Sequence, residues 1–220
     1  MKTFLELATD VANFTQHSTD DSDMMTKIKS WLNLSQRSLT EQYDFWTELE
    51  TTYDFNTADG IEAYDMPSDF DKAFRVADLT NKVELTPMTE QEYVASYLSN
   101  IANADEGKPT IYRIYGVLSR LRQMKLGLIP DAVYSMRIWY KKIPADMSAD
   151  GDYAFVDADV FLIFNTMGHT FKWEKEDEKA RGAWAKAKEA LYQLLTNQMR
   201  KHGTNYQHKI VSNFASAHRS

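Results

Sequence analysis

Phe4, Leu7, Ala8, Val11 and Phe14 recur at helical spacing, and after the polar break HSTDDSD a second series follows at Met24, Ile28, Trp31, Leu32, Leu39 and Tyr43. The pattern predicts a helical hairpin. Ser22 or Asp23 is placed to cap its second helix, where a short side-chain oxygen accepts a bond from an orphaned amide. From about Glu48 the period changes. Tyr53 and Phe55, an Asp-Gly pair at 59–60, and then Ile61, Tyr64 and Met66 predict a β-hairpin running on toward Val83.

Thr89 with Glu92 is a T-x-x-E capping box, predicting a short helix that buries Tyr93, Tyr97 and Leu98. Pro109 opens a second β run with strands at 111–117, 118–126 and 132–143. In the last, Tyr134, Met136, Ile138 and Tyr140 alternate with Ser135, Arg137, Trp139 and Lys141, the period of two that a half-buried strand requires. A buried helix is expected from about Phe155 to Trp173. A final helix, marked by Trp184, Ala187, Leu191, Leu194 and Leu195, should end near His202, with Gly203 suited to the left-handed residue beyond. The remainder, TNYQHKIVSNFASAHRS, has no helical period and no acid, and is expected to be an extended arm.

Composition narrows the chemistry. The chain has 220 residues, 43% of them hydrophobic, enough for one domain or two small ones. It contains no cysteine, which excludes disulfides, thiolate metal sites and cysteine nucleophiles. The longest apolar run, Phe155 to Met167, is interrupted by Asp157, Asp159 and Asn165 and is too short for a membrane span; the start, MKTFLELATDV, predicts no signal peptide. The net charge of -7 is uneven: residues 1–110 hold 21 Asp and Glu against 8 Lys and Arg, and residues 111–220 hold 11 against 17. The acidic half is the opposite of a phosphate-gripping groove.

One segment raises a metal question. DMSADGDYAFVD, residues 146–157, places Asp146, Ser148, Asp150 and Asp152 at positions 1, 3, 5 and 7 of a calcium loop, with Gly151 at 6 and Asp157 at 12. It follows a strand and Pro144 instead of a helix, and position 12 is not Glu. The segment is therefore expected to be a turn, with Asp157 in the first turn of the next helix; a calcium-dependent binding module is the alternative. His17, His169, His202, His208 and His218 show no zinc spacing, and no phosphate-cradle or nucleophile-elbow motif occurs. The expectation is no metal, no cofactor and no catalytic residue. EKEDEKAR, residues 174–181, reads as a solvated helix start, and Trp31, Trp46, Trp139, Trp173 and Trp184 as core or interface anchors.

Taken in order, TFLELATDV, MTKIKSWLNLSQRSLTEQYDFW, FNTADGIEAYDMPSDFDKAFRV, KPTIYRIYG, LGLIPDAVYSMRIWYKKIPADMSADGD and the closing helices resemble the head-to-tail adaptor (connector) proteins of tailed bacteriophages, over nearly the whole chain. The resemblance implies an α+β, mainly α fold: a helical bundle with an embedded antiparallel β-rich part and an extended C-terminal arm. Residues 1–203 would form a single adaptor domain, with a helical hairpin at 3–46, a β-rich insertion at 48–143 and C-terminal helices at 155–202; residues 204–220 would be the arm. It implies a non-enzymatic virion protein of the neck, assembled in the host cytoplasm as a homo-oligomeric, dodecameric ring. That ring would dock under the portal protein, extend the DNA channel without binding DNA specifically, and offer the tail (nozzle or tube) protein its attachment site, with no membrane involved. A tail-tube or tail-completion protein is the alternative within the same class. Lys209, Ile210, Val211, Phe214 and Arg219 of the arm are the expected portal-binding residues.

Overall fold

The computed structural model describes residues 1–43, 46–97, 106–116 and 122–202. The chain divides into two compact units, one formed by Met1–Glu48 with Ala145–Ser220 and the other by Leu49–Pro144.

In the first unit, α1 (Phe4–Phe14) and α2 (Ser22–Gln42) form the expected hairpin. Thr3 and Glu6 make a reciprocal capping box at the start of α1. Asp21 caps α2, accepting from the amides of Asp23 and Met24, so the cap is neither of the expected Ser22 and Asp23 but the residue before them. In α1 Phe4, Leu7, Ala8, Val11 and Ala12 are buried. After the irregular segment 145–158 come α4 (Asp159–Trp173) and α5 (Asp177–His202). Asp159, not Asp157, sits in the first turn of α4; Asp157 stays outside it near the chain's amino group, 3.6 Å away. α4 packs on α5, α2 and α1.

Both α1 and α4 end in the same motif. His17 donates its amide to Ala12 and Glu176 donates to Phe171, while Gln16 (φ 62°) and Lys175 (φ 65°) take the left-handed conformation usually given to glycine.

The second unit overturns the expectation of a mainly α bundle. It holds two four-stranded sheets, which make the protein an α+β mixture with a β-rich core. The strands are β1 (Glu50–Asn56), β2 (Ala63–Asp65), β3 (Phe70–Asp78), β4 (Val83–Glu84), β5 (Thr86–Pro87), β6 (Ile111–Gly116), β7 (Arg122–Gly127) and β8 (Ser135–Lys142), with α3 (Glu90–Tyr97) between β5 and β6. One sheet has the order β1-β8-β3-β4 and the other β2-β7-β6-β5. Nor is the β-rich part wholly antiparallel, because β5 runs parallel to β6.

The expected hairpin at Asp59-Gly60 does not form. β1 pairs with β8 over its whole length and β2 pairs with β7 in the other sheet. Phe55 and Tyr64, which hairpin pairing would set on adjoining strands of one sheet, instead meet between the sheets with ring centroids 5.1 Å apart. Thr57 fixes the departure from β1: its amide donates to Tyr134, its hydroxyl donates to Ala132, and the Tyr134 amide donates back to that hydroxyl. Gly60 (φ 74°) then turns the chain and donates to Pro130.

The core between the sheets is built from Val76, Met136, Ile138 and Tyr140 on one side and Tyr112, Met124 and Leu126 on the other. The alternation in β8 holds as expected until its end, where Lys141 on the opposite face is also buried, its ammonium 3.4 Å from Asp71. Thr89 and Glu92 make their capping box at the start of α3, and Tyr93 is buried. Leu98 and the arm residues lie outside the described residues.

Candidate functional site

Two built surfaces stand out, one in each unit. In the first unit, the Asp-rich segment is held along one polar row of α2. Arg37 grips Asp146 with two guanidinium nitrogens, Nε at 2.9 Å, and Lys29 pairs with Asp150. Between them Asn33 exchanges two 3.0 Å bonds with the backbone of Met147. Gln36 donates to the Ala145 carbonyl at 3.0 Å and accepts from the Phe155 amide at 3.2 Å. Lys29, Asn33, Gln36 and Arg37 are spaced so that they fall on one helical face.

The same segment serves α1, whose first amides need acceptors. Phe4 donates to the Asp152 carbonyl at 2.7 Å and Leu5 to that of Asp150 at 3.1 Å. Asp152 turns its carboxylate inward on its own loop, accepting from the amides of Ser148 at 2.7 Å and Ala149 at 2.8 Å. The calcium-like spacing thus has another cause. Three carboxylates are engaged by an arginine, a lysine and two backbone amides, and the segment clamps α1 and α2 together. Among the described residues, no three His, Asp or Glu side chains are grouped to hold a metal ion.

The Ser148 amide, then the Ala149 amide, hold the Asp152 carboxyl below its ordinary value. A carboxyl lowered on folding contributes stability that is present above its unfolded pKa, about 3.9, and is lost as the pH falls through the folded value. Asp152→Asn is therefore expected to flatten the acid limb of the unfolding profile below about pH 4. Acid titration followed by circular dichroism checks this; an unchanged limb would remove Asp152 from the account.

In the second unit, the face of β8 turned away from the core carries Arg137 and Trp139. Arg137 makes a bidentate pair with Asp54 of β1, both distances 2.7 Å. Those hydrogen bonds hold the Asp54 carboxyl below its ordinary range and raise Arg137. Trp139 is flanked by two guanidinium groups, Arg75 at 5.5 Å and Arg137 at 5.8 Å, and Arg75 pairs in turn with Glu84 at 2.7 Å. Tryptophan and arginine on an open sheet are the residue types that anchor protein interfaces.

The other residues singled out in the sequence are dispersed. Trp46 is fully buried, Trp31 and Trp173 meet at 6.4 Å, and Trp184 of α5 meets His169 of α4 at 5.8 Å. Burial lowers the pKa of His169, which touches no carboxylate cluster. Lys172 pairs with Asp177 and Lys179 with Glu176, the mixed-charge start expected for the last helix. The Arg37–Asp146 clamp was not read from the sequence. Its signal is the pair of amides, Asn33 and Gln36, inside an amphipathic helix.

One unit thus carries a polar clamp and the other an arginine–tryptophan face. Residues 2–209 match the profile of the SU10 adaptor protein, and the chain belongs to that family, a family of phage head-to-tail adaptors. No curated protein matches the chain. It is a structural adaptor of a bacteriophage; the family implies a place in the virion neck and interaction with portal and tail components. Among the described residues, no helix is long and apolar enough to cross a membrane.

Proposed function

We propose that the protein forms a dodecameric ring that docks under the portal, lengthens the DNA channel and presents the attachment site for the tail protein. The family match over residues 2–209 carries this reading. Residues 1–203 act as one adaptor module containing both units, and residues 204–220 are the arm that reaches the portal. Lys209, Ile210, Val211, Phe214 and Arg219 suit that role because the arm has no acid and its apolar residues can lie in a partner's groove. The excess of Asp and Glu before residue 110 favours a channel wall that repels the phosphate backbone.

Mixing the full chain with its portal and imaging the complex tests the reading. The native chain should add a ring beneath the portal, and Ile210→Asp with Phe214→Asp should weaken attachment by about tenfold or more. Attachment to tail tube but not to portal would favour a tail-completion protein instead.

A further inference from the structure

We propose that the outer edge of β1 is a strand-docking site, and that its occupant is the C-terminal segment of a second copy of this chain. The proposal rests on the reading of residues 204–220 as an arm and gives that arm a seat before a portal is offered.

Among the described residues, hydrogen-bond direction leaves the edge open. The Thr57 amide donates to Tyr134 of the neighbouring chain path, so the odd-numbered residues of β1 face β8. On the far side of β8, Ser135 accepts from Leu79 and Ile143 donates to Asp69, which sends the odd residues of β8 to β3 and the even ones to β1. The two observations agree. The backbone groups of Thr52, Asp54 and Asn56 therefore point away from the sheet, and no backbone bond reaches them from the described residues outside β8.

β1 has few of the usual protections of an edge, its charges being those of Glu50 and Asp54. It is seven residues long, ETTYDFN, with no proline and no lysine, and its register with β8 is unbroken, whereas the β3–β8 register carries two irregularities. The two faces of the strand differ. On the core side Tyr53 and Phe55 stack at 6.0 Å and 16°, and the Tyr53 ring remains exposed at the sheet margin. On the other side stand Glu50, Thr52, Asp54 and Asn56, all exposed. An incoming strand that sets apolar side chains on the first side continues the aromatic shelf, and a basic side chain on the second meets the acids.

The arm offers both. In an extended conformation Tyr206, His208, Ile210, Ser212 and Phe214 fall on one side, with the apolar residues at every fourth position, and Gln207, Lys209, Val211 and Asn213 on the other, with no acid anywhere from 204 to 220. Tyr206–Phe214 is long enough to span Glu50–Asn56. Laid antiparallel beside β1 with Ile210 against Tyr53, it sets Lys209 against Asp54, in the acidic row that Glu50 shares. Each chain then donates one strand and accepts one, a heterologous contact.

The test uses full chains in complementary pairs, without portal, so that its failure leaves the portal reading standing. A donor-only chain carries Thr52→Pro, which removes an outward amide but none of the bonds to β8. An acceptor-only chain carries Ile210→Asp and Phe214→Asp. Hydrogen exchange is read at the Asp54 and Asn56 amides. In the native chain protection should rise with protein concentration; in the acceptor-only chain alone it should be lost, and adding the donor-only chain should restore it, slowing exchange by about tenfold. Concentration-independent exchange in the native chain, protection that persists in the acceptor-only chain alone, or no recovery on mixing would each overturn the proposal.

Discussion

Trp46→Ala is expected to cost the helical unit about 3–5 kcal/mol. The indole is 1% exposed, its Nε1 donates to the Leu39 carbonyl at 2.9 Å, and it forms a T-shaped pair with Phe155 at 5.7 Å and 80°. Leu39 belongs to the last turns of α2, where carbonyls lack helical partners, and Phe155 closes the clamped segment through the hydrogen bond its backbone amide donates to Gln36 Oε1. One side chain thus fills core volume, satisfies a helix end and stops the segment from lifting. Trp46→Phe, which keeps a ring but leaves the carbonyl without its donor, should lose only about 1–2 kcal/mol. Denaturant unfolding of both variants, read on the helical signal, checks the ranking. Equal losses for Phe and Ala would place the effect in the hydrogen bond and not in packing.

Gly168→Ala is the second large effect, and its direction runs against helix propensity. In an open helix the change would gain about 1 kcal/mol. At position 168 a Cβ would stand 2.3 Å from Nε1, 2.4 Å from Cδ1 and 2.7 Å from Cε2 of Trp184, a rigid ring with no soft end to move aside. α5 would have to retreat from α4, and the contact of Trp184 with His169 would be lost with it. Overpacking of this kind costs about 2–3 kcal/mol net. The remedy is specific: in a Trp184→Leu background the same Gly168→Ala change should become nearly neutral, a coupling that a double-mutant cycle measures. An alanine as stable as the native glycine in the native background would show that the helices can part without penalty.

Much of this architecture was legible in local patterns. Phe4, Leu7, Ala8 and Val11 specify α1; Thr89 and Glu92 specify the start of α3; Met136, Ile138 and Tyr140 specify the buried face of β8. Partner choice was not. Tyr53 and Tyr64 both lie in strands, but nothing in their spacing says that their strands belong to different sheets, and the Asp-Gly pair between them carries the right turn chemistry for a hairpin that does not form. β4 and β5 contribute two residues each, too few for any period to register, so the extent of pairing in the insertion at 48–143 was under-read and the fold weighted toward helix. The clamp was hidden for another reason. Asp146, Asp150 and Asp152 match a metal loop in spacing, and that spacing does not name Arg37 and Lys29, the distant partners of the first two. Lys141 follows the polar side of the β8 alternation and is nevertheless buried, since burial at a strand's end depends on what the chain brings over it.

The β-rich unit enters on β1 and leaves on β8, and Glu50 stands opposite Lys141 in the antiparallel ladder. Its two ends are therefore neighbours, at the roughly 5 Å spacing of paired strands. A module whose ends meet can be lengthened, shortened or exchanged for another by a single graft, because the chain returns to the place it left. The helical path from Glu48 to Ala145 then needs only a short bridge, and the two units are free to diverge at different rates, one under the demand of packing its clamp and the other under whatever its partners require.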